Sequence, residues 1–244
     1  MNQKEWFAEW FNTSYYHQLY QNRNEEEAAL FISNLIEFLN LPKTAKLLDL
    51  ACGRGRHSVT LNSFGYKVLG VDLSANSIQE ACKSANETLT FATHDMREVI
   101  STETFDAIFN LFTSFGYFDH ESENEKVCAS ISKMLSPKGI LVIDFMNAEK
   151  VIQQLVAKEV KRVGELDFYL ERRYDGTHIY KDIRFEDQGR NFHFTERVQA
   201  LKLEDFQRLL EKEFTLLETF GTFDLQPFSP TDSDRLIIIA ERKI

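Results

Sequence analysis

LLDLACGRGRHS at Leu47–Ser58, followed by GVDLS at Gly70–Ser74, decides how this chain is read. An apolar run enters a Gly-x-Gly turn at Gly53 and Gly55, and an acid, Asp72, stands 19 positions after the first glycine. That order is the layout of a βαβ unit that holds an adenosine-type ligand at its strand ends. Glycines there let the backbone turn sharply and approach a ligand with no Cβ in the way. A carboxylate at the end of the second strand can accept both ribose hydroxyls.

Outward from this stretch, strands and helices alternate between residues 46 and 146. Strands are expected at Lys46–Ala51, Lys67–Val71, Leu89–His94 and Phe105–Leu111. Helices are expected at Arg56–Phe64, from Ser74 or Ala75 to Asn86, and over Glu121–Leu135. Pro137-Lys138-Gly139 then reads as a turn into a strand at Ile140–Phe145. Short apolar runs separated by helices indicate an α/β fold, a parallel sheet covered on both faces. Residues 160–201 differ: Phe168-Tyr169-Leu170, His178-Ile179-Tyr180, Ile183-Arg184-Phe185 and Phe192-His193-Phe194 alternate between the turns Asp175-Gly176 and Gln188-Gly189. This is the pattern of an antiparallel meander, expected to form a lid over the strand ends. A helix from Leu203 to Lys212 and two strands, Phe214–Phe223 and Arg235–Glu241, follow. Residues 1–40 read as a helical cap, with Trp6, Phe7, Trp10 and Phe11 at helical spacing and a second helix at Glu25–Leu39.

Composition limits the partners. The 244 residues carry 28 Lys and Arg against 38 Asp and Glu, a net charge of −10. Phosphate binding needs a basic surface, so nucleic acid is disfavoured. Cys52, Cys82 and Cys128 are odd in number and have no CxxC spacing, which suggests neither a disulfide framework nor a metal site. The polar opening MNQKE and the absence of a long apolar run lead to the expectation of a cytoplasmic chain with no membrane partner.

The ligand is narrowed by three departures from a dinucleotide fingerprint. Ser58 occupies the position of the third glycine that the Rossmann motif uses for helix–strand packing. Asp49 lies inside the first strand, where a carboxylate needs donors from the following loop. His94-Asp95-Met96 ends the third strand, where an acid can accept from an adenine amino group beside a flat apolar neighbour.

These residues resemble the class I S-adenosylmethionine-dependent methyltransferases of the small-molecule type. LLDLACGRGRHS is similar to the family's first motif, GVDLS to its acidic ribose loop, HDM to its adenine site and FDAIFNLFTSFGYF to its fourth-strand segment. The aromatic insert is similar to the lid of sugar N-methyltransferases and glycine N-methyltransferase. The resemblance implies a Rossmann-like sheet of seven mostly parallel strands over residues 41–244, with the insert at 160–201. It implies that Ala51, Gly53 and Gly55 line the methionine part of S-adenosylmethionine and that Asp72 holds the ribose. It implies further that Leu73 packs on the adenine, that Asp95 and Met96 recognise it, and that Asn110 and Phe112 close the methionine side. An N-terminal helix is expected to add Tyr16, Tyr20 and Arg23; the two tyrosines, four apart, also fit a plain packing stripe.

For the acceptor, a pocket of Phe115, Tyr117, Tyr169 and Arg173 is expected. Tyr117 and His120 are the candidates for a general base, although an amine that arrives neutral needs none. Asn110-Leu111-Phe112-Thr113 lacks the Asn/Asp-Pro-Pro-aromatic signature of methyltransferases that act on DNA bases or glutamine side chains. The implied reaction is methyl transfer to N or O of a small molecule. An NAD-dependent oxidoreductase and a non-catalytic S-adenosylmethionine-binding protein stand as alternatives, and the oligomeric state, a homodimer included, is open.

Overall fold

The computed structural model describes residues 6–20, 25–100 and 104–244. In chain order, the first elements are α1 (Trp6–Trp10), α2 (Ser14–Leu19), α3 (Glu25–Leu39), β1 (Lys46–Leu50), α4 (Arg56–Ser63), β2 (Lys67–Asp72) and α5 (Ala75–Ala81). There follow β3 (Leu89–Thr93), β4 (Phe105–Asn110), α6 (Glu121–Met134), β5 (Leu135–Met146) and α7 (Ala148–Gln153). Strands β6 (Lys158–Val163), β7 (Leu166–Tyr174), β8 (His178–Asp187) and β9 (Arg190–Gln199) form a separate antiparallel sheet. The chain closes with α8 (Leu203–Leu210), β10 (Phe214–Phe220) and β11 (Arg235–Arg242).

The main sheet has seven strands in the order β10-β11-β5-β4-β1-β2-β3. Its pairings are parallel except those of β11, which runs antiparallel to both β10 and β5. Successive residues of β1 serve opposite faces: Leu47 joins the core under α3 and α4, whereas Leu48 and Leu50 join the core under α6 and α8. All three are fully buried. A continuous apolar strand is what a sheet covered on both sides requires. The β1–β2 register, Lys46 opposite Lys67 through Leu50 opposite Val71, brings the glycine loop and Asp72 to the same sheet edge.

Pro137-Lys138-Gly139 is not a turn ahead of the strand but lies within β5, which begins at Leu135. Phe105 pairs with Leu135 and Ala107 with Ile140, so the extra residues bulge out. Lys138 takes a positive φ of 61° there, and proline has no N–H to give to a ladder.

The small sheet turns an apolar face inward. On β7, Phe168 and Leu170 are buried, whereas Tyr169 is 54% exposed, because consecutive side chains point to opposite faces. Helices α1 and α2 cover the inward face, and Trp10 and Leu19 join Phe168, Leu170, Ile183 and Phe185 in one cluster. Polar bonds fix this wedge: Tyr15 donates to Asp187 at 2.7 Å, Gln18 to the Val163 carbonyl at 3.2 Å, and Lys161 to the Leu19 carbonyl at 3.1 Å. At its other side, Asn12 accepts from the Ser74 hydroxyl at 2.9 Å, tying the wedge to the start of α5. Strand β9 is pinned to the loop after β4 through Gln199, whose amide donates to the Gly116 carbonyl at 2.8 Å.

This register makes a stability prediction. Phe168→Ala is expected to cost about 3–5 kcal/mol, the range for a large aromatic lost from a core. Tyr169→Ala, one residue away, is expected to stay within about 0.5 kcal/mol. Urea unfolding of the two variants measures both, and equal losses would contradict the assignment of faces.

Candidate active site

The loop after β1 is built by its backbone. Ala51, Gly53 and Gly55 all have positive φ, at 64°, 56° and 81°. At Gly53 an added Cβ would enter open space, so this glycine presents bare backbone to the cavity. Gly55 does a different job. A Cβ there would stand 2.7 Å from the Phe91 ring and 3.2 Å from Ala81, so its absence allows the α4 start to sit on β3 and α5. Gly55 thus takes the packing role that the dinucleotide motif gives its third glycine. Ser58, at that third position, is fully buried and donates its hydroxyl to Asp49 at 2.5 Å. Burial pushes the Asp49 carboxyl up from its ordinary 3.8 to about 6, against the opposing bonds from Ser58.

Asp72 joins two loops. One oxygen accepts the Gly53 amide at 2.9 Å and the other accepts the Ser74 amide at 2.8 Å. Burial raises its pKa, and those two amides work against the rise. At the end of β3 the Asp95 carboxylate is gripped by Arg97, with Nε at 3.0 and 3.1 Å from its two oxygens. Burial alone would raise the Asp95 pKa, but the Arg97 bonds outweigh it and hold the group low. Arg97 also reaches Glu123 at 3.1 Å and lies 4.8 Å from the Phe118 ring centre, so it links β3 to α6.

These loops face a cavity of about 430 Å³. The strand-end loops give its floor, with Ala51, Cys52, Gly53, Asp72, Leu73, Asp95 and Met96, and Phe112 joins them beside Arg56; an aromatic wall comes from Phe7, Phe11, Tyr16 and Tyr20 of the N-terminal segment and Tyr117 and Phe118 after β4. Tyr117 stacks edge-on against Phe11 at 5.3 Å, so the two aromatic groups are one surface. The Tyr20 hydroxyl donates to Glu196 at 2.6 Å and accepts from Lys181 at 2.5 Å, and Trp10 donates to the same carboxylate at 2.7 Å. The cap is therefore bolted to strands β8 and β9.

Of the expected site residues, Tyr16, Tyr20, Ala51, Gly53, Asp72, Leu73, Asp95, Met96, Phe112 and Tyr117 come together at this cavity. Others stand away from its wall. Gly55 packs as described. Asn110 is fully buried beneath the loop and donates to the Leu50 carbonyl at 3.0 Å. Phe115 turns into the core, 5.5 Å from the Phe206 ring. His120 is exposed at the start of α6, and Tyr169 and Arg173 lie on the outer face of the small sheet, where Arg173 stacks on Tyr180 at 3.6 Å. Arg23 lies outside the described residues. The sequence reading did not place Phe7, Phe11, His17, Arg54, Arg56, Ser77, Leu111, Ser114 or Phe118 at the cavity. The Phe7–Phe11 spacing was a visible signal, since residues four apart share a helix face. Within the described residues no helix is long and apolar enough to cross a membrane.

A family model described as "Methyltransferase domain" matches residues 41–187. The chain belongs to this methyltransferase family. It is 30% identical over 229 residues to the glycine/sarcosine N-methyltransferase of Aphanothece halophytica, with 90% of this chain and 83% of that protein covered. Among solved structures, an S-adenosylmethionine-dependent methyltransferase from Clostridium acetobutylicum shares the fold with a TM-score of 0.80 at 20% identity, covering 94% of this chain and 96% of that one. An S-adenosylmethionine-bound amino pentose methyltransferase from Micromonospora echinaspora follows at 0.72 and 20% identity, covering 95% and 98%. The protein is an S-adenosylmethionine-dependent methyltransferase, and the oxidoreductase alternative is set aside.

The buried Asp49 gives a pH prediction. The folded protein holds this proton more tightly than the unfolded chain, so stability falls as pH rises from about 4 to 6, and the whole cost is present above that window. At about 1.4 kcal/mol per pH unit, the loss is on the order of 3 kcal/mol. Asp49→Asn is expected to lack this loss. Urea midpoints between about pH 4 and pH 7 compare the two, and parallel curves would contradict the burial argument.

Proposed function

We propose that the enzyme methylates an amine nitrogen of a small molecule held in the aromatic half of this cavity. The observation that carries the proposal is that one cavity is lined both by the strand-end loops bearing Asp72 and Asp95 and by aromatic rings from the N-terminal segment and the loop after β4. The floor suits an adenosine. Each Asp72 oxygen accepts one amide, and a carboxylate oxygen has capacity for a second donor, here a ribose hydroxyl. Gly53 leaves open space where a side chain would stand, and about 430 Å³ falls in the range of small-ligand pockets. Leu73, Asp95 and Met96 would hold the adenine, and Ala51, Gly53 and Phe112 the methionine part, with Arg23 as its carboxylate partner.

When bound, S-adenosylmethionine supplies an electrophilic methyl on a sulfonium. The residues of the chain align the acceptor and exclude water, the two tasks an in-line displacement sets. Rings of Tyr16, Tyr20, Phe11 and Tyr117 favour a cationic centre beside them. They suit a neutral amine as acceptor: the positive charge starts on the sulfonium and ends on the methylated nitrogen, so the rings face a cation throughout and the attack itself needs no protein base. Similarity to a glycine/sarcosine N-methyltransferase supports nitrogen over oxygen. In this reading residues 1–40 are a cap and 160–201 a lid on the methyltransferase domain at 41–244. We further assign the enzyme to the cytoplasm, as a monomer or homodimer, with no nucleic acid partner; the net charge of −10 supports the last point.

Calorimetry with S-adenosylhomocysteine and with NAD tests the donor half. The homocysteine product is expected to bind and NAD not, and Asp72→Ala to lose about 1–3 kcal/mol of that binding. Tight NAD binding, or unchanged affinity in Asp72→Ala, would overturn the floor assignment. Mass spectrometry of reactions with glycine, sarcosine, amino sugars and phenols tests the acceptor half. Methylated amines are expected, and product from phenols alone would contradict the nitrogen reading.

A further inference from the structure

We infer that Arg235, on the last strand, is a positioning residue for the donor side of the cavity and acts through Phe112. The inference rests on the reading of that cavity as the S-adenosylmethionine site. Phe112 and Thr113 leave β4 with φ of 62° and 59°, a left-handed conformation that bulky and β-branched residues rarely adopt. Two such residues in succession need outside support, and it comes from β5. The Phe112 amide donates to the Asp144 carboxylate at 2.9 Å, and the Thr113 amide donates to the Asp144 carbonyl at 2.9 Å.

Asp144 is itself 1% exposed, so its charge needs a partner. Arg235 provides one, with Nε 2.7 Å from the second carboxylate oxygen. The same guanidinium donates to the Thr113 hydroxyl at 3.1 Å and lies 5.7 Å from the centre of the Phe112 ring. Arg56, from the glycine loop, stands 5.4 Å from that ring. Neutralising Asp144 would require only the first of these contacts. The other two grip the strained turn itself, and Phe112 is the part of that turn that borders the cavity. A planar fork can make all three contacts together; a lysine ammonium can make only the charge contact. In this way the antiparallel strand that ends the chain sets the position of a wall residue more than 120 positions earlier.

A double-mutant cycle on S-adenosylhomocysteine affinity, read by calorimetry with the melting temperature of each variant recorded, tests this. Arg235→Lys keeps the charge beside Asp144 and gives up the fork. With Phe112 present it is expected to weaken binding about tenfold, and in a Phe112→Ala background less than about twofold. Thr113→Val, which removes only the hydroxyl, is expected to weaken binding about threefold with the same disappearance, and it carries the test if Arg235→Lys does not fold. Equal losses in both backgrounds are what a merely structural role gives, and they would overturn the inference, as would no loss with Phe112 present. A native protein that binds no S-adenosylhomocysteine would overturn the donor-site reading and this inference together, and that is seen before any variant is made.

Discussion

One carboxylate holds two loops of the cavity floor in register. Asp72 accepts the amide of Gly53 from the loop after β1 and the amide of Ser74 from the start of α5. The loop after β1 turns through positive φ at Ala51, Gly53 and Gly55, a conformation that bonds from outside the loop help to hold. Ser74 in turn caps α5, accepting the Ser77 amide, and donates to Asn12 of the cap. The position of the glycine loop, the start of α5 and the seat of the N-terminal wedge therefore share a single node. Hydrogen bonds to a charged group are the strong ones, which suits them to this task.

The sheet was legible because its signals are local. Apolar runs, the Gly-x-Gly turn and acids at strand ends each depend on neighbours within a few positions. What escaped depends on phase or on distant partners. Existence of the strand over Phe168-Tyr169-Leu170 can be read from alternation, but which residue faces inward is fixed by Trp10 and Leu19, some 150 positions earlier. Tyr169 and Arg173, equally aromatic or charged in the text of the sequence, fell on the wrong side for the same reason. Phe115 and Asn110 sit beside true wall residues, and one step along a strand or loop sends a side chain into the core. Ser58 reads as a defect in a glycine motif, and only the contact with Asp49 gives it a purpose.

The aromatic wall also changed in origin. The lid was expected to supply rings to the cavity, and among the described residues the wall comes instead from the N-terminal segment and the loop after β4. The small antiparallel sheet stands one layer back. Glu196 and Lys181 hold Tyr20, and Glu196 holds Trp10, so the N-terminal part of the cavity wall is fixed from β8 and β9. In such a layered build the polar supports behind the rings stay hydrogen-bonded, as buried polar networks must be.

A crystal structure with S-adenosylhomocysteine tests the central claim most directly. The ribose is expected within hydrogen-bond reach of Asp72, the adenine beside Leu73, Asp95 and Met96, and the sulfur facing the aromatic wall of Tyr16, Tyr20 and Tyr117. A nucleoside seated away from Asp72, or a sulfur turned from that wall, would contradict it.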